Sequence, residues 1–218
     1  MGGDRDGNPN VTASVTLRVI WLARWIAADL YLREISQLYD ELSLSECSPE
    51  LRHIVGDVRE PYRELLRPLR QRLRSTRDAL FLQMARLNEP PSPALTPQEI
   101  LDPLLLCYDS LLRIGAALIA GGRLLDTIRR LYCFSTSLVR LDLRQEASRH
   151  TEVLDAISAS EGLGLFSTWE EGKKISYLLE RLQSDEPAPL PASLSLSPQA
   201  RETIETFVAA TAVPEDSL

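Results

Sequence analysis

The stretch SLVRLDLRQ, Ser137 to Gln145, decides how the rest of the chain is read. Its side chains alternate with the period of two that a β-strand imposes. Val139, Leu141 and Leu143 share one face. Arg140, Asp142 and Arg144 share the other, about 7 Å apart along the strand. The spacing predicts a strand over 137–145, with a turn at Ala147–Ser148 and a helix beginning near RHTEVLDAI. A strand running straight into a helix suggests a β/α unit, whose sheet is usually covered on both faces. A solitary strand leaves its N–H and C=O groups unpaired, and burying them so is costly. No second strand of comparable strength is legible, so the stretch calls for neighbours that this sequence does not contain.

The charged face has two readings. Asp142 is placed to pair with both Arg140 and Arg144, and paired ions tolerate burial. Arg144 lies nearest the carboxyl end of the strand, where α/β folds gather their ligand and catalytic groups. Its guanidinium is a permanently charged fork suited to carboxylate or phosphate. The plainer reading is the solvated face of an edge strand. Glu146, Arg149 and His150 follow directly, and His150 is either an acid–base group or a capping residue at a helix start.

Outward from the strand the pattern is helical. Residues 13–44 keep Val15, Val19, Leu22, Ile26, Leu30, Ile35, Leu38 and Leu42 on roughly one face, with Arg18, Arg24, Asp29, Arg33 and Glu34 mostly off it. Ser48 is placed to cap a short helix. Residues 61–87 form another, with Pro61 in its first turn and Pro68 as a kink. NEPPSPAL, 88–95, reads as a linker. In TPQE, Thr96, Pro97 and Glu99 make a capping box. That helix is expected to end at Gly121 and Gly122, before a short one over RLLDTIRRLY. A helix around TWEEGKKISYLLERL and another from about 198 to 207 complete the chain, separated by the linker DEPAPLPASLSLSP; FVAATAV suits a helix end or a strand. The expected segments are thus 1–87, a linker at 88–95, 96–183, and 184–218 as linker plus helix. The expected class is mainly α with one or two short β-strands.

Composition narrows the function. With 44% hydrophobic and 25% charged residues the chain has material for a buried core. A net charge of −7 argues against a nucleic-acid binder. Arginines at 63, 67, 70, 72, 74, 77 and 86 form a basic stripe that reads as a solvated helix face. Three cysteines, Cys47, Cys107 and Cys133, without CxxC spacing suggest reduced thiols in a cytosol. The apolar run at 104–120 carries Asp109 and Arg113 and reads as a buried helix, not a membrane span. DRDGNPN fails as a calcium loop, because Gly7 and Val15 stand where the pattern wants other residues. No phosphate-binding glycine motif or GxSxG is present, and His53 and His150 are too few for a zinc site.

MGGDRDGNPNVT with the helix LARWIAADLYLREI, and later SLVRLDLRQEASRHTEVLDAI, resemble the phosphoenolpyruvate carboxylase family. EPYRELL, CYDSLL, GGRLLDTIRR, TWEEGKK and AVPEDS resemble it in order and spacing. The resemblance implies that 1–218 is a single incomplete segment of a (β/α) TIM-like barrel with large helical insertions, in which the GGDRDGNP loop is internal. It implies carboxylation of phosphoenolpyruvate by bicarbonate to oxaloacetate and phosphate, replenishing the tricarboxylic acid cycle, with Mg²⁺ or Mn²⁺. It further implies a cytoplasmic homo-oligomer, a tetramer, and no membrane or nucleic-acid partner. The RxDxRQE motif carries an active-site, anion-holding role to Arg144, with Arg140, Asp142, Arg5, Asp6 and Asn8 as supporting candidates. The family's TAHPT histidine, GRGG loop, catalytic lysine and metal-binding acids have no counterpart here, so the segment alone is expected to be inactive and to bind no cofactor or metal itself. Ala147 stands where RQES is usual, and Ser135 where the family tends to have glycine. The alternative is a stand-alone helical anion-binding or regulatory module.

Overall fold

The computed structural model describes residues 2–5, 8, 10–87, 95–184 and 194–218. The expected linkers at 88–95 and 185–198 fall largely outside these. The described residues are mainly helical and form two compact units, Met1–Thr16 with Asp142–Ala212 and Leu17–Leu141 with Val213–Leu218.

The second unit is built from α1 (Ala13–Glu41, from Leu17 onward), α2 (Pro49–Val55), α3 (Pro61–Ala85), α4 (Pro97–Arg113), a short turn of helix α5 (Ala117–Ile119) and α6 (Leu125–Phe134). Tyr31, Ile35, Leu38 and Leu42 of α1 meet Leu66, Leu69 and Leu73 of α3, Leu104 and Leu111 of α4, and Leu124, Ile128 and Leu131 in one buried cluster. Buried hydroxyls beside it are paired. Ser110 Oγ accepts the Ser48 amide at 2.8 Å and shares a 2.8 Å hydrogen bond with the buried Tyr62 hydroxyl. The caps anticipated at Ser48 and Thr96 are present, the latter as a full capping box with Glu99. α3 continues through Pro68. The arginine stripe on α3 pairs with Glu60, Glu64, Glu99 and Asp78.

Three expectations are corrected in this unit. α4 stops at Arg113 because Gly115 adopts φ +78, not at Gly121–Gly122; those two lie in a wide helical turn, Ala120–Leu124, that leads into α6. The buried face of α1 includes Trp21, Ala27, Ala28 and Tyr31, while Leu22 and Leu30 are exposed. Arg24, expected off that face, is only 4% exposed. Its guanidinium pairs with Asp216 at 2.6 Å and donates to Ser217 and Thr136.

In the first unit, α7 (Ala147–Ser160) packs on α9 (Pro198–Thr211) and on a 3-10 turn at Phe166–Thr168, and α8 is Glu171–Leu182. Ser158 Oγ closes the α7 corner, accepting the Phe166 amide and donating to the Gly164 carbonyl. The segment FVAATAV continues α9 as helix to Thr211. Ala200, Thr203, Thr206 and Ala209 form its buried stripe at three-residue spacing.

The expected strand over 137–145 is not formed. Among the described residues the sole β pairing is one parallel bridge, Asp4 with Arg144. Ser135 and Leu138 take positive φ values of 52 and 64, which turn the chain where a strand would begin. The alternation nevertheless survives from Arg140 to Arg144: charged side chains are exposed and Leu141 and Leu143 half-buried. The physical reason is pairing. A ladder needs a neighbour along its length, and here the opening loop supplies a single residue's worth, Arg144 N–H to Gly3 O at 2.8 Å and Arg5 N–H to Arg144 O at 3.1 Å.

Candidate functional site

The opening loop is clasped rather than frayed. Asn8 Oδ1 accepts the Asn10 amide and the Asn8 amide donates to Arg5 O, giving the loop a side-chain-supported turn. Arg5, only 7% exposed, donates through its guanidinium to Thr16 Oγ1 on the first turn of α1 and, at 3.4 Å, to Gly3 O. Thr16 Oγ1 donates in turn to Gly2 O. Burial lowers the Arg5 pKa, and the charge of Glu202 opposes that shift. Glu202, on α9, accepts the Ala13 amide at the start of α1.

Arg144 is exposed, its side chain 67% accessible, and is held by Asp142 through Nε–Oδ2 at 2.8 Å. That hydrogen bond and the charges of Asp142 and Asp4 raise its pKa, so it remains a cation at any physiological pH. Arg144 and Arg5 line one cleft of about 410 Å³ together with Gln145, His150, Thr203 and Thr206. None of the described residues lining it is acidic. Phe207 completes one wall and stacks at a tilt on His150, centroids 5.7 Å apart. Arg5 also borders a second cleft, of about 400 Å³, with Asn8, Glu146, Arg149 and Glu202. A concave surface lined by arginines and hydroxyls is suited to a small anion, with the Asp142 carboxylate outside the lining occupying one edge of the Arg144 fork.

Of the residues singled out in the sequence, Arg5 and Arg144 therefore share a cleft, and Asn8 shapes the loop beside it. Asp142 pairs with Arg144, not with both arginines of the row. Arg140 is exposed, belongs to the second unit and has no ion pair among the described residues. Asp6 lies outside the described residues.

A family model for phosphoenolpyruvate carboxylase matches residues 1–217. Curated proteins with that name are similar along the chain: one from Erwinia tasmaniensis is 44% identical over 100% of it, and one from Pectobacterium carotovorum 46% over 100%. One from Edwardsiella ictaluri is 46% identical over 94%. The chain belongs to the phosphoenolpyruvate carboxylase family. It spans about a quarter of the length of these relatives, 24–25% of each.

For this member of the carboxylase family, sequence reasoning missed Glu202, Thr203, Thr206 and Phe207, all contributed by α9. The Ala-Thr-Thr-Ala stripe at positions 200, 203, 206 and 209 marks the packed face of that helix. Nothing local ties Glu202 to Ala13, 189 residues away. No helix among the described residues is long and apolar enough to cross a membrane.

Proposed function

We propose that these residues are one incomplete segment of an enzyme that carboxylates phosphoenolpyruvate with bicarbonate, and that Arg144 holds and neutralises its anionic reactants. In this reading the phosphoryl group passes from the enol oxygen of phosphoenolpyruvate to bicarbonate, giving carboxyphosphate and an enolate. The enolate carbon then takes up the carboxyl group and phosphate departs, leaving oxaloacetate. Every species along that path is anionic, so fixed cations that need no reorganisation stabilise the charge as it moves. The observation that carries the proposal is the acid-free cleft on which Arg144 and Arg5 converge. Arg140, Asp142, Asp6 and Asn8 are supporting residues in the same proposal, Asp142 by fixing the Arg144 fork.

The proposal extends to a (β/α) barrel in the whole enzyme, completed by chain beyond this segment, and to a cytoplasmic homo-oligomer feeding the tricarboxylic acid cycle. Two features support it. The extended stretch at Arg140–Leu143 has one main-chain hydrogen bond to another segment, Leu141 N–H to Ser217 O, and no strand ladder among the described residues, and α8 leaves Ile175, Leu178, Leu179 and Leu182 uncovered in a row at helical spacing. The implied Mg²⁺ or Mn²⁺ does not fit the described residues, among which no three His, Cys, Asp or Glu side chains converge. Its ligands belong, in this reading, to the remainder of the enzyme.

The test is Arg144→Ala in the full-length enzyme. Loss of one preorganised donor to a developing oxyanion predicts a fall in kcat/KM of about 100- to 1000-fold. Because the side chain is exposed, the thermal midpoint should not move. Near-normal turnover would remove Arg144 from the site.

A further inference from the structure

We infer that Arg5 is a positioning residue that sets the place of Arg144 through the carbonyl of Gly3; the inference rests on Arg144 acting as proposed above. The Gly3 oxygen accepts the Arg144 amide at 2.8 Å and the Arg5 guanidinium at 3.4 Å. The Arg5 amide donates to the Arg144 carbonyl on the other side of the same bridge. Arg5 thus grips Arg144 through its own main chain and, more weakly, through the carbonyl its side chain shares.

The far end of that side chain is anchored. Its other terminal nitrogen donates to Thr16 Oγ1, and Thr16 returns a hydrogen bond to Gly2 O. The loop from Gly2 to Arg5 is therefore tied to the first turn of α1 at both ends. Two glycines in this loop supply no side-chain packing of their own, so the clasp replaces it.

A buried guanidinium is an expensive way to fasten a loop. Desolvation opposes it, an apolar residue of similar volume would do as well or better for stability, and Arg5 Nε is buried with no partner among the described residues. The arrangement makes sense where a single backbone position must be fixed. Arg144 has one such bridge, and its exposed side chain is held by Asp142 alone among the described residues. Displacing a charge-holding group by about 1 Å costs on the order of 100-fold in rate.

The experiment is a double-mutant cycle in the full-length enzyme, assayed by oxaloacetate formation from phosphoenolpyruvate and bicarbonate. Arg5→Met should lower kcat/KM by about 10- to 100-fold. Arg5→Lys, which keeps a donor to Thr16, should recover part of that loss. In the Arg5→Met, Arg144→Ala double variant the activity should equal that of Arg144→Ala alone, because a residue acting only through Arg144 has nothing left to position. Amide exchange at Arg144 should quicken in Arg5→Met while the Ile35–Leu42 amides of α1 stay protected. If Arg5→Met does not fold, Thr16→Val removes the anchor without removing charge and should give the same pattern at smaller amplitude. Losses that multiply in the double variant would mean that Arg5 meets the reactants itself and would overturn the inference, as would full activity of both Arg5→Met and Thr16→Val. Near-normal activity of Arg144→Ala would instead bring down the underlying proposal, and the two failures are read from different variants.

Discussion

Ser135 shows how a single backbone angle constrains this molecule. It follows α6 with φ 52 and ψ −151, a region that glycine enters freely and other residues reach at a cost of about 1–3 kcal/mol. Its hydroxyl offsets part of that strain by donating to Asp216 at 2.9 Å. The resemblance drawn from the sequence leads one to expect glycine at this position, and the geometry supplies the reason. Ser135→Ala loses the hydrogen bond and keeps the strain; Ser135→Gly loses the bond and relieves it. At most positions glycine is the less stable of the two by about 0.5–1 kcal/mol. Here the order should reverse, with the Gly variant about 1 kcal/mol above the Ala variant in chemical denaturation. A lower midpoint for Ser135→Gly would show that the angle carries no strain. The sequence shows that Ser135 is unusual but not why, since a dihedral is set by what the chain must do on either side of it.

At the scale of elements, the closing 3-10 turn, Glu215–Ser217, is fastened to α1 and to the turn after α6. Asp216 is the fastener, paired with Arg24 and accepting from Ser135 and Thr136, while Ser217 O takes the Leu141 amide. Burial alone would raise the Asp216 pKa, but the Arg24 charge and the three hydrogen bonds outweigh it and hold the carboxyl below its ordinary value. A carboxyl with a lower pKa folded than unfolded stabilises the fold above its unfolded value, about 3.9, and loses that contribution as pH falls through the folded one. Acid should therefore weaken the wild-type chain more steeply below about pH 4 than it weakens Asp216→Asn. Identical acid limbs in thermal melts of the two would contradict the assignment. Helix starts were the most legible elements, because caps such as Ser48 and Thr96 act through residues three positions away. Strand 137–145 misled for the opposite reason. Its alternation is genuine, but a strand exists only with a partner, and pairing is not written in the stretch itself. Arg24 and Glu202 were illegible for the same cause: their partners lie 192 and 189 residues off.

At the scale of the whole molecule, each unit has a packed interior and leaves apolar side chains in solvent, Phe81 and Leu118 among those of the second. The second has a continuous apolar cluster with its hydroxyls paired. The first is held by threonines, a buried arginine and single hydrogen bonds, and its α8 keeps an apolar row in solvent. An apolar row is costly to leave in water, and it is explained if this chain is a quarter of an enzyme whose remainder covers it. On that account the cleft bearing Arg5 and Arg144 is one side of a catalytic centre, and the other side comes from elsewhere in the enzyme. The most direct measurement sets the full-length protein and the isolated 218 residues side by side, following oxaloacetate formed from phosphoenolpyruvate and bicarbonate with Mg²⁺. The account predicts turnover by the full-length protein and none by the 218 residues alone. Turnover by the 218 residues, or none by the full-length protein, would contradict it.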